Sequence, residues 1–244
     1  MAGAGAYEFE SLDSTNSYAL REFGGLPDGA VITALRQTAG RGRLDRSWLS
    51  EGKGLYFTVV VKPAAPRPEI FPCYTHLMCA AVCGALTGLG LKPGIKWPND
   101  VLCGGAKVCG ILAEAVTSGG AVKGAVIGAG INLRQAPEEL AGLRAPAASL
   151  AMLGVTVTRE EILGLTLEHL GRLRPPFEKA GFAAIEGIYR SYAGFIGGRA
   201  SVKQEGTTLE GTAGLDKDGF LILHTEKGPV RITAGDFFTF SSGV

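Results

Sequence analysis

The chain has few of the residues that build the commonest metal and hydrolytic centres. Its 244 residues include three histidines, which are scattered, and five cysteines. The cysteines form no C-x-x-C pair and are accompanied by no histidine cluster, and the sequence contains no G-x-S-x-G motif. These absences argue against a metalloenzyme and a serine hydrolase. The odd cysteine count is typical of a reduced cytosolic protein in which the thiols are small core side chains.

An excess of charge of either sign is also missing. Lysine and arginine total 24, aspartate and glutamate total 23, and the net charge is +1. This balance argues against a general nucleic-acid coat and against a polybasic membrane binder. Any polyanion must therefore be bound by a local group of positive charges.

The sequence also has no pattern typical of a leader or a membrane span. The first ten residues lack a basic region followed by an apolar run, so no signal peptide is predicted. The longest apolar stretch, residues 73–91, is interrupted by polar residues and by three glycines. We therefore predict a buried helix there rather than a membrane span, and a cytoplasmic protein.

Positive charge is instead concentrated in one glycine-containing segment, TAGRGRLDRSW, from Thr38 to Trp48. Its charges and glycines are Gly40, Arg41, Gly42, Arg43 and Arg46. Glycines let successive backbone N–H groups turn toward one ligand, and arginine forks match phosphate oxygens. The segment predicts an anion site, although a mobile basic surface loop has the same composition. No G-K-[ST] follows, so it is not a Walker A loop.

The order of predicted elements indicates a mixed sheet followed by a separate small β unit. Polar N-cap formers at residues 13–16 precede a short helix, and strands are predicted at 30–37, 54–62, 95–103, 107–116 and 125–133. Helices are predicted after a capping box at Thr158–Glu161 and from Pro176 to about Tyr192. Short strands follow Gly197, the last of them spanning residues 229–238. We predict an α/β (α+β) fold in residues 1–196 and a small β-barrel in residues 197–244.

Two further clusters combine polar side chains with turn residues. In IKWPND, Pro98 interrupts the strand and would present Lys96, Asn99 and Asp100 at its edge. Downstream, Lys107 opens a strand that contains Gly110, and the sequence GAGIN ends at Asn132. Each cluster alone is also consistent with ordinary turn chemistry.

The order and spacing of these pieces resemble the biotin protein ligases (biotin–acetyl-CoA-carboxylase ligases). The pattern is STN, then QTAGRGR with a trailing tryptophan, then KWPND, K-x-x-G-I-L-x-E and IGAGIN. The resemblance spans the whole chain and implies that the C-terminal unit is an SH3-like barrel. It implies that biotin and ATP form biotinyl-5′-AMP and pyrophosphate, and that biotin then passes to one lysine of a biotin carboxyl carrier protein domain.

The resemblance also implies which residues form the site. Biotin binding is expected from Ser14, Thr15, Asn16, Gln37, Gly40, Arg41, Gly42, Arg43, Lys107 and Gly110. ATP or adenylate binding is expected from Arg41, Arg43, Arg46, Trp48, Lys107 and Asn132. Catalysis is expected from Lys107, Arg43 and Asp100. No metal ligands are assigned, because Mg²⁺ accompanying ATP is expected to be held mostly by phosphates and water.

Physical reasons support most of these roles. The ureido group of biotin is neutral and strongly polar, so its burial requires hydrogen-bond partners, although Ser14 and Thr15 also suit helix capping alone. The arginines would screen the repulsion between the biotin carboxylate and the α-phosphate, with Lys107 stabilising charge in both half-reactions. Asp100 is the candidate base for the acceptor lysine. Asp45 departs from the family pattern and lowers the local charge.

Some alternatives stay open at this point. A lipoate ligase or lipoyl transferase shares the catalytic fold but would not need the polar set for a ureido group. A protein that binds biotinyl-5′-AMP without transferring it is the alternative from another class. No winged helix-turn-helix precedes the STN motif, so DNA binding is not expected, and neither is a membrane partner. A homodimer through a surface strand is compatible with the fold, but no residue requires it.

Overall fold

A seven-stranded mixed sheet is the framework of the N-terminal part. The computed structural model describes residues 5–44, 46–143, 145–204, 207–233 and 235–239. The strands are β1 (Ala6–Leu12), β2 (Val31–Gln37), β3 (Gly54–Val61), β4 (Pro93–Lys96), β5 (Asp100–Cys103), β6 (Ala106–Ser118) and β7 (Ala121–Asn132). They lie in the order β1-β2-β3-β7-β6-β5-β4, with β1 parallel to β2 and the other pairs antiparallel.

Helices connect and cover this sheet. They are α1 (Thr15–Arg21), α2 (Tyr74–Gly88), α3 (Pro137–Leu140), α4 (Arg159–Ala180) and α5 (Glu186–Tyr192), with 3-10 turns at Pro68–Cys73, Ala151–Leu153 and Gly181–Ala184. The predicted capping box begins α4, where Thr158 accepts from the N–H of Glu161 and its own N–H donates to the Glu161 carboxylate. Such reciprocal bonds satisfy donors at the helix start that would otherwise have no partner.

The C-terminal unit is a five-stranded antiparallel sheet. Its strands are β8 (Arg199–Gln204), β9 (Thr207–Leu215), β10 (Leu221–Thr225), β11 (Gly228–Ile232) and β12 (Asp236–Thr239), in the order β11-β10-β9-β8-β12. The mixed α/β fold with a smaller all-β unit is therefore confirmed. The exact boundary at residue 197 stays a prediction.

Helix α2 forms the centre of the main core. The segment Pro68–Gly88 is long and apolar enough to cross a membrane by composition, but 78% of its most apolar window is buried inside the protein. Its side chains pack with β3, β6, β7 and α4 in one large apolar cluster. The prediction of a buried helix is confirmed, since tertiary contacts account for its hydrophobicity.

The cysteines are core side chains, as predicted. All five are free and buried. Burial raises the pKa of Cys73 to about 12 and that of Cys103 to about 11. Because the thiolate is the reactive form, these thiols are protonated and unreactive at neutral pH.

Three predicted element boundaries were wrong, each for a physical reason. The strand at 95–103 is a hairpin of β4 and β5, because Pro98 has no N–H for a ladder and the chain reverses around a cis Trp97–Pro98 bond. Helix α4 continues through Pro175 and Pro176, which lie on its exposed side, where carbonyls left without an N–H donor can be hydrated. The last predicted strand is two strands, β11 and β12, and β12 pairs with β8.

The first strand, β1, was not predicted. Its sequence AYEFESL alternates polar and apolar residues, and it pairs in parallel with β2 at one edge of the sheet. Edge strands of this kind are exposed on one side and carry only a weak apolar signal.

His76 lies in the core as a neutral residue. Its ring packs edge-on against Tyr189 and Phe182, and neither ring nitrogen has a partner among the described residues. Burial lowers the pKa of His76 to about 4 from its ordinary 6.5. The unfolded chain therefore binds a proton more readily than the folded one below pH 6.5.

We expect this histidine to weaken the fold in acid. The contribution of His76 to the free energy of unfolding is nearly constant above pH 6.5. As the pH falls from 6.5 toward 4, protonation of His76 in the unfolded chain lowers that free energy. Between pH 7.5 and 5.0, the unfolding free energy of the wild type should fall by about 2 kcal/mol more than that of His76→Leu. Urea denaturation of both proteins at the two pH values measures this difference. An equal fall in both would show that His76 is not the group responsible.

Candidate active site

A cavity of about 300 Å³ brings the predicted site residues together. It lies between the start of α1, the loop after β2, the ends of β5, β6 and β7, and β12 of the C-terminal unit. The predicted residues that line it are Ser14, Thr15, Asn16, Gln37, Arg41, Gly42, Arg43, Arg46, Trp48, Asp100, Lys107, Gly110 and Asn132. Gly40 does not line it, and its carbonyl accepts from the N–H of Trp48 at 2.8 Å.

The start of α1 forms one end of the cavity. Ser14 is the N-cap, and its hydroxyl accepts from the N–H of Ser17 at 3.5 Å. The N–H of Thr15 donates to Gln37 Oε1 at 2.8 Å, and Gln37 Nε2 donates to Ser50 Oγ at 2.8 Å. Helix capping and cavity lining are thus combined in the same residues, because a helix N-terminus directs unpaired N–H groups outward.

Asn16 is a buried polar group of this end. Its Nδ2 donates to the carbonyl of Leu112 at 3.0 Å and to Glu114 Oε2 at 2.9 Å. The hydroxyl of Thr58 on β3 lies 2.6 Å from Asn16 Oδ1 and 2.9 Å from Thr15 Oγ1. Both N–H groups of Asn16 are therefore used within the protein, and its oxygen keeps acceptor capacity for a ligand.

The arginine loop is fixed to the protein by carboxylates at its two ends. Arg41 forms a two-bonded pair with Glu114 on β6, with distances of 2.8 and 3.1 Å. Arg46 forms a similar pair with Asp236 of β12, with distances of 2.7 and 2.8 Å. Asp45 lies outside the described residues. Both sheets of the molecule thus hold this loop over the cavity.

Arg43 differs from its two neighbours. It donates to the neutral amide oxygen of Asn99 at 3.2 Å, and it forms no ion pair within the described part of the chain. Burial lowers the pKa of its guanidinium, and the Asp100 carboxylate opposes the shift. Because guanidinium stays protonated at neutral pH, Arg43 brings an uncompensated positive charge into the cavity.

Lys107 and Trp48 lie together on the floor of the cavity. The Lys107 ammonium is 2.7 Å from Asp100 Oδ1 and 5.1 Å from the centre of the Trp48 ring. The ring lies against the paired glycines Gly110 and Gly130, where an added Cβ would come within 2.7 and 2.4 Å of its atoms. Glycine is required at both positions because any side chain would displace the ring.

Asn132 supports the opposite wall. Its Nδ2 donates to the carbonyl of Ala148 at 3.2 Å, and the N–H of Leu150 donates to its backbone oxygen at 3.0 Å. The N–H of Lys107 donates to Pro146 at 2.8 Å, which holds the same segment. Leu143, Ala145 and Ala147 line the cavity on this side.

Three residues that matter to this geometry were not assigned by sequence reasoning. Thr58 is a hydroxyl within the apolar strand GLYFTVVV, and Glu114 is a carboxylate within the mostly apolar strand β6. For Thr58 the available signal is a lone hydroxyl in a fully buried strand, which needs a partner. For Glu114 it is the last position of the K-x-x-G-I-L-x-E motif. Asp236 has no such signal, since it meets Arg46 from 190 positions away in the chain.

Comparisons with known proteins agree with this geometry. The biotin/lipoate A/B protein ligase family matches residues 8–132, and the biotin protein ligase C-terminal domain matches residues 195–239. The biotin–[acetyl-CoA-carboxylase] ligase of Paracoccus denitrificans is 33% identical over 232 residues, which cover 93% of this chain and 97% of that protein. The bifunctional ligase/repressor BirA of Bacillus subtilis is 34% identical, and the match spans 86% of this chain and 66% of BirA.

The fold is likewise shared with a solved ligase. The structure of the biotin protein ligase from Aquifex aeolicus in complex with biotin and ATP superposes with a TM-score of 0.80 at 28% identity, covering 98% of this chain and 99% of that one. A family match over about half the chain, together with a relative matched over nearly its full length, decides the family. The chain belongs to the biotin protein ligases.

Proposed function

We propose that the protein activates biotin with ATP and transfers it to a lysine of a biotin carboxyl carrier protein domain. The observation that carries the proposal is one cavity that joins a neutral polar end at Asn16 to a positively charged end at Arg43 and Lys107. A neutral ureido group and a phosphate require these two environments side by side. The Aquifex relative, with biotin and ATP bound, supports the same assignment.

The ureido head of biotin lies at the α1 end in this proposal. Ser14, Thr15, Asn16 and Gln37 supply its polar surroundings, and the apolar side chains of Phe57 and Ile111 face the same space. Burying a polar group is favourable only when its partners are in place, and the network around Asn16 fixes those partners in advance.

The first half-reaction takes place at the charged end. A biotin carboxylate oxygen attacks the α-phosphorus of ATP, the bond to the β-phosphate breaks, and pyrophosphate leaves with the electron pair. Arg43, Arg41 and Lys107 reduce the repulsion between the two anions and stabilise the developing charge. Arg46 and Trp48 close the loop over the nucleotide, and Asn132 and Gly110 border it. Closure also excludes water from the mixed anhydride.

In the second half-reaction the acceptor lysine amine attacks the biotinyl carbonyl carbon, and AMP leaves. Lys107 stabilises the charge on the departing phosphate oxygens. Asp100 is our candidate to take the proton from the amine. The 2.7 Å pair between the two implies that Lys107 must turn toward the phosphate before Asp100 can act as a base.

Mg²⁺ is expected to enter with ATP. Among the described residues, no group of three or more His, Cys, Asp or Glu side chains is placed to hold a metal ion. We assign it no protein ligands because ATP phosphates and water are expected to hold it, and none of the roles above depends on it.

The setting of the enzyme is part of the same proposal. The carrier domain is the expected protein partner, with no DNA or membrane partner, and the protein is placed in the cytoplasm. Residues 1–196 act as the catalytic domain, and the C-terminal sheet supports it through the Arg46–Asp236 pair. A homodimer would form by pairing of an exposed edge strand such as β1. Light scattering at several concentrations tests that state.

Two assays test the proposed function. Biotin-dependent exchange of labelled pyrophosphate into ATP reports the first half-reaction, and mass spectrometry of a carrier domain reports the second. A protein that only binds the adenylate would give no modified carrier. Competition between labelled biotin and lipoate separates this function from lipoate ligation, which needs no partners for a ureido group.

Removing the Asn16 side chain should weaken biotin binding. We expect Asn16→Ala to reduce the free energy of biotin binding by about 1–3 kcal/mol, the usual cost of leaving buried polar groups without partners. Binding of ATP measured without biotin should not change. Calorimetry with each ligand alone gives both values.

The matched control for this variant is Thr166→Ala. Thr166 is equally buried and hydrogen-bonded, but it lies in α4 away from the cavity. It should leave biotin affinity as in the wild type. If Asn16→Ala bound biotin with unchanged affinity, Asn16 would have no contact with the vitamin.

A further inference from the structure

Glu114 connects the two ends of the cavity through a single carboxylate. Its Oε2 accepts from Asn16 Nδ2 at 2.9 Å and from Arg41 Nη1 at 3.1 Å. Its Oε1 accepts from Arg41 Nη2 at 2.8 Å. One side chain on β6 thus holds a residue of the neutral end and the first arginine of the charged loop.

Only a carboxylate can make this connection in full. The three donors require two acceptor oxygens, and the fork of an arginine matches both oxygens of one carboxylate. A glutamine of the same shape has one acceptor oxygen, and its NH₂ group would face other donors. The Glu114→Gln substitution therefore separates Arg41 from Asn16 with almost no change in volume.

The ion pair itself has little effect on the stability of the fold. The Arg41 side chain is 43% exposed and that of Glu114 is 22% exposed, and ion pairs so accessible to water contribute little to folding. Its effect is instead local, because Arg41 and Gly42 line the cavity and lead directly into Arg43. Breaking the pair frees the start of the loop.

We propose that Glu114 is a positioning residue that couples biotin binding to ATP binding. The inference rests on the proposed function. A ligand bound to Asn16 further restricts Glu114, and through it Arg41, so less of the loop's motion remains for ATP to remove. By linkage, ATP must increase biotin affinity by the same factor.

Calorimetry tests this coupling with an ATP analogue that has a methylene bridge between the α and β phosphorus atoms and therefore cannot transfer its AMP group to biotin. In the wild type, saturating biotin should raise the affinity for the analogue by about fivefold or more. In Glu114→Gln the factor should fall to about twofold or less. The melting temperature should stay within about 3 °C of the wild type.

Two further variants test whether the coupling passes through the contact between Glu114 and Arg41. Glu186→Gln removes a glutamate from another arginine pair, in α5 and away from the cavity, and should keep the wild-type factor. In an Arg41→Gln background, Glu114→Gln should lower the factor no further, because both changes break the same contact.

Several results would overturn the inference. These are a wild-type factor below twofold, an unchanged factor in Glu114→Gln, or an equal further loss in the Arg41→Gln background. If wild-type protein bound no biotin, the proposed function would fail as well. If it bound biotin and exchanged pyrophosphate but Glu114→Gln kept full coupling, only the role of Glu114 would be wrong.

Discussion

Lys107→Ala should lower the rate of biotin adenylation by about 100- to 1,000-fold, the usual cost of removing a group that stabilises transition-state charge in a closed site. Lys107 is the ammonium on the cavity floor, held between Asp100 and the Trp48 ring. Its removal leaves the Asp100 carboxylate unpaired beside the position of the phosphate, which adds repulsion to the lost attraction. Biotin-dependent pyrophosphate exchange measures this rate.

The same variant should also be slow in transfer. Single-turnover reaction of preformed biotinyl-5′-AMP with a carrier domain isolates that step, because no ATP is needed. Lys123→Ala is the matched control, since Lys123 is an exposed lysine toward the other end of the β6–β7 hairpin. A normal rate in either half-reaction would remove the dual role proposed for Lys107.

Arg43→Ala should release the adenylate. Arg43 carries positive charge into the cavity and forms no ion pair within the described ranges, so it is the loop arginine most available to a phosphate. Losing a charge-assisted hydrogen bond should speed dissociation of biotinyl-5′-AMP by about 10- to 100-fold. A chase of labelled adenylate from the enzyme with excess unlabelled adenylate measures the rate.

The ion pairs of the other two loop arginines remain in this variant, so its effect should be limited to the contact of Arg43 with phosphate. Arg41 and Arg46 keep their carboxylate partners, so the loop should stay in place while its contact with phosphate is lost. Arg36→Ala, an exposed arginine on β2 just before the loop, should retain the adenylate as the wild type does. Unchanged retention by Arg43→Ala would contradict the proposed clamp.

The local elements followed from sequence because their causes are local. The capping box at Thr158, the apolar run of α2 and the interruption of the strand at Pro98 each depend on residues a few positions apart. The arginine loop between β2 and β3 was recognised in the same way, from its glycines and arginines together. Where prediction failed, at Pro175 and Pro176, the exposed side of a long helix tolerated residues that usually end one.

Local sequence patterns could not predict which carboxylate pairs with each loop arginine. Sequence reasoning assigned all three loop arginines to the ligands, with Arg41 and Arg43 on phosphate and Arg46 closing the loop over the nucleotide. In the folded chain Arg41 pairs with Glu114 and Arg46 pairs with Asp236, which leaves Arg43 as the loop arginine without an ion pair among the described residues. These contacts join residues 73 and 190 positions apart.

The sequence alone determined the chemistry available to this protein: a phosphate-binding loop, a set of polar partners for an uncharged ligand, and a lysine between them. The tertiary structure decided how those groups are used, because pairing depends on distances that only packing sets. Thr58, Glu114 and Asp236 come from three strands in two sheets, and their positions around the cavity follow from the sheet order and from the docking of β12. The energy of a Coulomb interaction depends on the distance between the two charges in space. Spacing along the sequence does not give that distance, because it is set only when the chain folds.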